Sequence, residues 1–156
     1  MHKDIIFFIS SRGSTPYFEH LSKHLNLNSS VIWHKDLKWP GISFLRYAKK
    51  AELKKIVEYK ILEKTNHKNS STTQWYWNAY RTIKYLITVY RFIVYAHYFD
   101  SHPCEAIGIW NGHKYRMSIA VEVAKALKRK VIYFENGLLP NTTTVDPRGV
   151  NYFNSL

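Results

Sequence analysis

Two carboxylates, Glu135 and Asp146, lie eleven residues apart across a short polar segment near the carboxyl end of a 156-residue chain. Chemistry at an anomeric carbon needs such a pair: one group attacks or shields an oxocarbenium-like centre, and the other manages the proton. The chain holds eleven acidic residues in all, so two of them here merit weighing against the plain alternative of capping or salt bridging. Around them stand three polar clusters: Ser10-Ser11-Arg12-Gly13, Asn111-Gly112-His113 and Glu135-Asn136-Gly137. Each joins a glycine to a side chain that can bond or titrate, although a glycine can also do no more than turn the chain. Arg12, Lys114, Arg116 and Arg148 supply cations near the same clusters. A guanidinium fork matches a carboxylate or a phosphate, with a solvated surface position as the alternative. His113 is a candidate proton shuttle by residue type.

Several chemistries find no support. Cys104 is the sole cysteine, which removes intramolecular disulfides and multi-cysteine zinc sites and fits a reducing cytosol. His20, His24, His34, His67, His97 and His102 lack ligand spacing with it, so no metal site is expected. Neither a phosphate-binding Gly-x-x-x-x-Gly-Lys loop nor Gly-x-Gly-x-x-Gly is present. No resident cofactor is expected.

The clusters need elements to position them. Ile5–Ile9 is a continuous apolar run, as in a strand buried on both faces. Pro16–Leu25 reads as a short helix capped by Ser14 or Thr15, and residues 31–33 as a second strand. Residues 106–110, a helix over Lys114–Lys130 and a strand over 131–134 form a second βαβ unit. The three clusters then follow the carboxyl ends of strands, where ligands bind in open parallel sheets. The expected fold class is α/β: a Rossmann-like parallel sheet with flanking helices.

Between the two βαβ parts lies a helical section over about residues 42–100. Phe44, Leu45, Ala48, Leu53, Ile56, Val57 and Ile61 fall near helical spacing, residues 65–73 are a polar loop, and Trp75–Phe99 is a long amphipathic helix. In that helix Tyr80, Ile83, Leu86, Ile87, Tyr90, Ile93, Val94 and His97 make the apolar stripe, with Arg81, Lys84, Thr88, Arg91, Tyr95 and Tyr98 mostly opposite. From Arg46 to Arg91 eleven basic residues face Glu52, Glu58 and Glu63. The net charge of +12 and 16% aromatics favour anionic partners. A basic module binding nucleic acid without catalysis is the competing reading. It is disfavoured because no RRM, KH, zinc or helix-turn-helix signature appears. Peripheral contact of the long helix with an anionic inner membrane is a third reading, compatible with a cytoplasmic enzyme. A spanning helix is excluded, because Arg81, Lys84, Arg91 and His97 interrupt the apolar stretch.

The stretch YFENGLLPNTTTVDPRGVNYFNSL, residues 133–156, resembles the central motif of bacterial capsule polysaccharide biosynthesis proteins, a group that includes retaining β-Kdo glycosyltransferases. IGIWNGHKYRMSIAVEVAKALKRK, residues 107–130, looks like the preceding element of that family. The resemblance covers about residues 105–156, and the remainder fits by architecture alone. It implies one half of a GT-B glycosyltransferase in capsule or surface polysaccharide synthesis. CMP-Kdo, a nucleotide-activated acidic sugar, would be the donor and a glycan or glycolipid the acceptor. Attack on the anomeric carbon would fall to Asp146, with Glu135 as acid/base or organising carboxylate. Asn111, Gly112, His113, Arg116, Asn136, Gly137, Arg148 and Asn151 would bind substrate. The resembled enzymes hold their nucleotide mainly in a second Rossmann-like half. On that reading this chain is an amino-terminal half, a fragment or part of a split enzyme, and binds CMP weakly on its own.

Overall fold

The computed structural model describes residues 2–41, 45–48, 51–66, 74–137, 139 and 142–148. Five strands form one sheet: β1 (Lys3–Ile9), β2 (Ser29–Trp33), β3 (Cys104–Trp110), β4 (Lys130–Asn136) and β5 (Thr143–Asp146). Their order is β2-β1-β3-β4-β5, with the first four parallel and β5 antiparallel to β4. Helices α1 (Thr15–His24), α2 (Leu45–Ala48), α3 (Leu53–Asn66), α4 (Gln74–Ser101) and α5 (Tyr115–Ala126) flank it. The expected α/β, Rossmann-like parallel sheet is therefore present, with every expected strand in place.

Strand periodicity sorts the side chains of β1 to the two faces. Ile5, Phe7 and Ile9 meet α1, where Phe18 is fully buried and stacks on Phe7 with ring centroids 4.5 Å apart. Ile6 and Phe8 point the other way, into the core made with α3, α4 and α5. Phe8 meets Tyr95 of α4 edge-on at 4.7 Å. Burying one such aromatic side chain contributes on the order of 1.5–3 kcal/mol, so both faces are firmly anchored. Gly108 lets β3 lie close to β1, since a Cβ there would stand 2.5 Å from the Phe7 ring.

Three local readings change. The segment after Gly137 is not all loop, because Thr143–Asp146 pairs with β4. Its alternation of polar residues carries no apolar signal, and the backbone ladder makes the strand. That pairing also draws Glu135 and Asn136 into β4 rather than leaving them in a turn. The helix expected to run to Lys130 ends at Ala126, where Lys128 takes a left-handed φ of 55°. The Lys128 and Arg129 amides then donate to the carbonyls of Lys125 and Ala124, a Schellman closure that frees Lys130 to begin β4. Asn26 ends α1 in the same way, with φ 50°.

The inward face of α4 is also rotated from the expected one. Thr88, Phe92, Tyr95 and Phe99 are buried, whereas Ile83, Leu86 and Tyr90 are exposed. From Phe92 to Ala96 every residue is buried, so the helix has no polar side there for periodicity to detect. Residues 65 and 66, expected in a loop, close α3, while 67–73 lie outside the described residues. No described helix is long and apolar enough to cross a membrane.

Candidate functional site

The chain leaves β1 toward β2 on one side and returns through α2–α4 to β3 on the other. The direction of winding therefore reverses between β1 and β3, where open α/β sheets form their ligand crevice. The carboxyl ends of β1, β3 and β4 bring Ser10–Gly13, Asn111–His113 and Glu135–Gly137 to one edge of the sheet, as expected.

Asn111 turns the chain out of β3 with φ 48°, its amide donating to Phe134 O at 2.8 Å. Asparagine tolerates this left-handed conformation better than most residues. Its side-chain amide donates to Glu135 Oε1 at 3.4 Å, tying the β3 and β4 clusters together. Gly112 packs closely under the Tyr133 ring, which a Cβ there would approach to 2.5 Å and have to displace. Gly137 starts the hairpin, donating its amide to Thr142 O at 2.8 Å. A side chain at Gly137 would collide with Thr142.

The β4–β5 register decides how the carboxylates stand. Tyr133 pairs with Asp146 and Glu135 with Thr144. Residues opposite one another share a sheet face, so Glu135 and Asp146 lie on one face as diagonal neighbours, with backbones about 7–8 Å apart. Asp146 is 3% exposed, and its Oδ1 accepts the Arg148 amide at 2.7 Å. Glu135 is half-buried and Asn136 exposed.

Beside this pair, between α3 and α5, opens a cleft of about 660 Å³. Gly112, His113, Tyr133 and Arg148 line its sheet side; opposite stand Glu52 just before α3, Lys55 and Tyr59 of α3, and Glu122 and Lys125 of α5. Glu135 and Asp146 adjoin the cleft through Tyr133 and Arg148 and are not part of its lining. Glu122 organises the helical wall: it accepts from Lys125 Nζ at 2.7 Å and from the Glu52 amide at 3.0 Å. The Glu122 bond is the main cause that raises the Lys125 pKa, and burial raises that of Tyr133. Lys125 thus stays cationic at the rim and Tyr133 stays a neutral phenol.

Of the expected site residues, Gly112, His113 and Arg148 share this cleft, and Asn111, Glu135, Asn136, Gly137 and Asp146 stand along its strand edge. Arg116 does not join them. It lies toward α4, where its charge acts on His34 and Tyr95. Asn151 lies outside the described residues. Among the described residues no three His, Cys, Asp or Glu side chains gather to hold a metal ion. Cys104 is buried, and burial raises its pKa, so the thiol is not activated.

No protein-family model, no curated protein and no solved structure matches the chain.

The helical wall, with Glu52, Tyr59 and Glu122, carries no motif spacing in the sequence. Glu122 sits in an apolar helical pattern, and a carboxylate interrupting such a stripe is the one local signal that marks it.

Proposed function

We propose that this domain serves glycosyl transfer to or from an acidic sugar, with a CMP-Kdo-type donor, in the synthesis of a surface polysaccharide. The observation that carries the proposal is the β4–β5 register, which sets Glu135 and Asp146 on one sheet face beside the cleft that Arg148 lines. The resemblance of residues 105–156 to capsule polysaccharide biosynthesis proteins supplies the sugar class.

In this reading the carboxylate of the sugar meets Arg148, His113 and the cationic rim formed with Lys125. Asp146, whose Oδ1 accepts the Arg148 amide, attacks the anomeric carbon through its carboxylate. The C–O bond to the cytidylate phosphate breaks as the Asp146–sugar ester forms. An acceptor hydroxyl then displaces Asp146 with a second inversion, giving net retention. Glu135, oriented by Asn111, takes the proton of that hydroxyl.

The test is transfer from CMP-Kdo by an enzyme carrying this domain, alongside intact-mass detection of a sugar ester. Asp146→Asn should lower transfer by roughly a thousandfold or more and abolish the ester, with the fold retained. Glu135→Gln should slow turnover while still allowing the ester to form. Near-normal transfer by Asp146→Asn would overturn the assignment.

A further inference from the structure

The packing of α4 through Thr88, Phe92, Tyr95 and Phe99 leaves an apolar stripe on its outer side. With ordinary helical periodicity, Trp75, Ala79, Ile83, Leu86 and Tyr90 fall within about 80° of one another, opposite the buried residues. Trp75, Leu86 and Ile83 are 71%, 62% and 57% exposed, and Tyr90 is half exposed. Trp39, on the segment after β2, is also exposed and lies flat against Tyr90, with ring centroids 5.0 Å apart and planes 9° from parallel. From Trp75 to Tyr90 the stripe runs about 22 Å along the helix. Aromatic rings stand at both ends and aliphatic side chains between them.

Folded chains rarely leave so long an apolar run uncovered unless something docks on it. Indole and phenol rings suit the boundary between acyl chains and headgroups, because the ring body is apolar and its polar tip stays wet. Cations border the stripe. Lys38 is exposed next to Trp39, and Lys84 flanks the helix with its ammonium 5.3 Å from the Tyr80 ring centroid. Residues 46–91 carry eleven Lys and Arg against Glu52, Glu58 and Glu63, and the chain has a net charge of +12. That charge decides between occupants. A second copy of the chain would bring the same excess of cations to the contact, whereas an anionic leaflet would be attracted to it. The helix does not cross the bilayer, so its apolar side can only lie on one.

We infer that the outer face of α4, together with Trp39, docks this protein on an anionic lipid surface, with α4 parallel to the plane of the bilayer. Trp75, Ile83, Leu86 and Tyr90 enter the boundary below the headgroups. Lys38 and Lys84 reach the headgroup phosphates, since a lysine can lay its stem along apolar surface and keep its ammonium in water. The inference does not depend on the sugar reading, for none of the stripe residues lines the α3–α5 cleft.

The experiment is flotation of the whole chain with phosphatidylcholine vesicles, with and without phosphatidylglycerol, while tryptophan emission is followed. The expected result is binding to the phosphatidylglycerol vesicles with a blue shift, at least about tenfold weaker binding to phosphatidylcholine alone, and loss of affinity as salt rises. Leu86→Ser and Ile83→Ser change exposed side chains, and each should weaken binding by about tenfold with the far-UV circular dichroism unchanged. Leu25→Ser, which removes a similarly exposed leucine at the end of α1, should leave binding within about twofold. Undiminished binding by both Leu86→Ser and Ile83→Ser would show attraction by charge alone and overturn the docking face. Equal losses in Leu25→Ser and Leu86→Ser would do the same. Equal binding to the two vesicle compositions, or binding to neither, would overturn the anionic surface. Dimerisation without vesicles that Leu86→Ser abolishes would give the face to a second copy and overturn the inference.

Discussion

His34 has a titration that the fold suppresses. Burial first, then the charges of Arg116, Arg91 and Lys35, lower its pKa from 6.5 to about 4. A folded-state pKa below the unfolded one means that the unfolded chain takes up the proton first as pH falls. The neutral imidazole therefore costs no stability above about pH 6.5, and stability is lost as pH drops from there toward 4. Urea unfolding at pH 7 and pH 5 should show a larger loss for the natural chain than for His34→Gln. Equal losses would mean that His34 is not held neutral. This residue also marks the limit of reading sites from spacing. Gly112 and His113 were legible because they follow a strand directly, and Arg148 because it lies two residues past Asp146. His34, Arg91 and Arg116 come from three distant stretches, and only the folded chain brings the two guanidiniums within electrostatic reach of the imidazole.

Among the elements, the parallel strands were plain in the sequence, because a strand buried on both faces must be apolar throughout, as Ile5–Ile9 is. β5 was not, since Thr143 and Thr144 lie at a sheet edge and need no apolar pattern. The β4–β5 register is the geometric fact that relates Glu135 to Asp146, and it follows from backbone pairing that no side-chain pattern marks. The end of α5 was misplaced for a different reason: the helix stops at a lysine instead of a glycine. Lys128 adopts a left-handed φ without the freedom that glycine brings. Lys128→Gly should therefore raise the unfolding free energy by about 0.5–1 kcal/mol, the range typical of relieving such strain. Chemical denaturation would measure it, and a destabilised variant would show that the Lys128 side chain contributes packing that outweighs the strain.

At the scale of the whole molecule, one sheet edge carries two different chemistries. Toward β4 and β5 stand paired carboxylates and a cleft with a cationic rim; toward β1 and β2 stand the Arg12–Asp36 ion pair and His34. The net charge of +12 is a property of the composition and says nothing of where on the surface an anion would meet it. The topology separates the two regions, because α5 begins between them, with Tyr115 lining the cleft and bonding Thr88 of α4. The central claim is that the β4–β5 side receives the sugar. Its most direct test is a backbone-amide NMR titration of the chain with free Kdo. Saturable shifts are expected at Gly112, His113, Glu135 and Arg148, with His34 and Arg91 unmoved. Saturable shifts confined to His34, Arg91 and Arg116, or none at the β4–β5 edge, would contradict it.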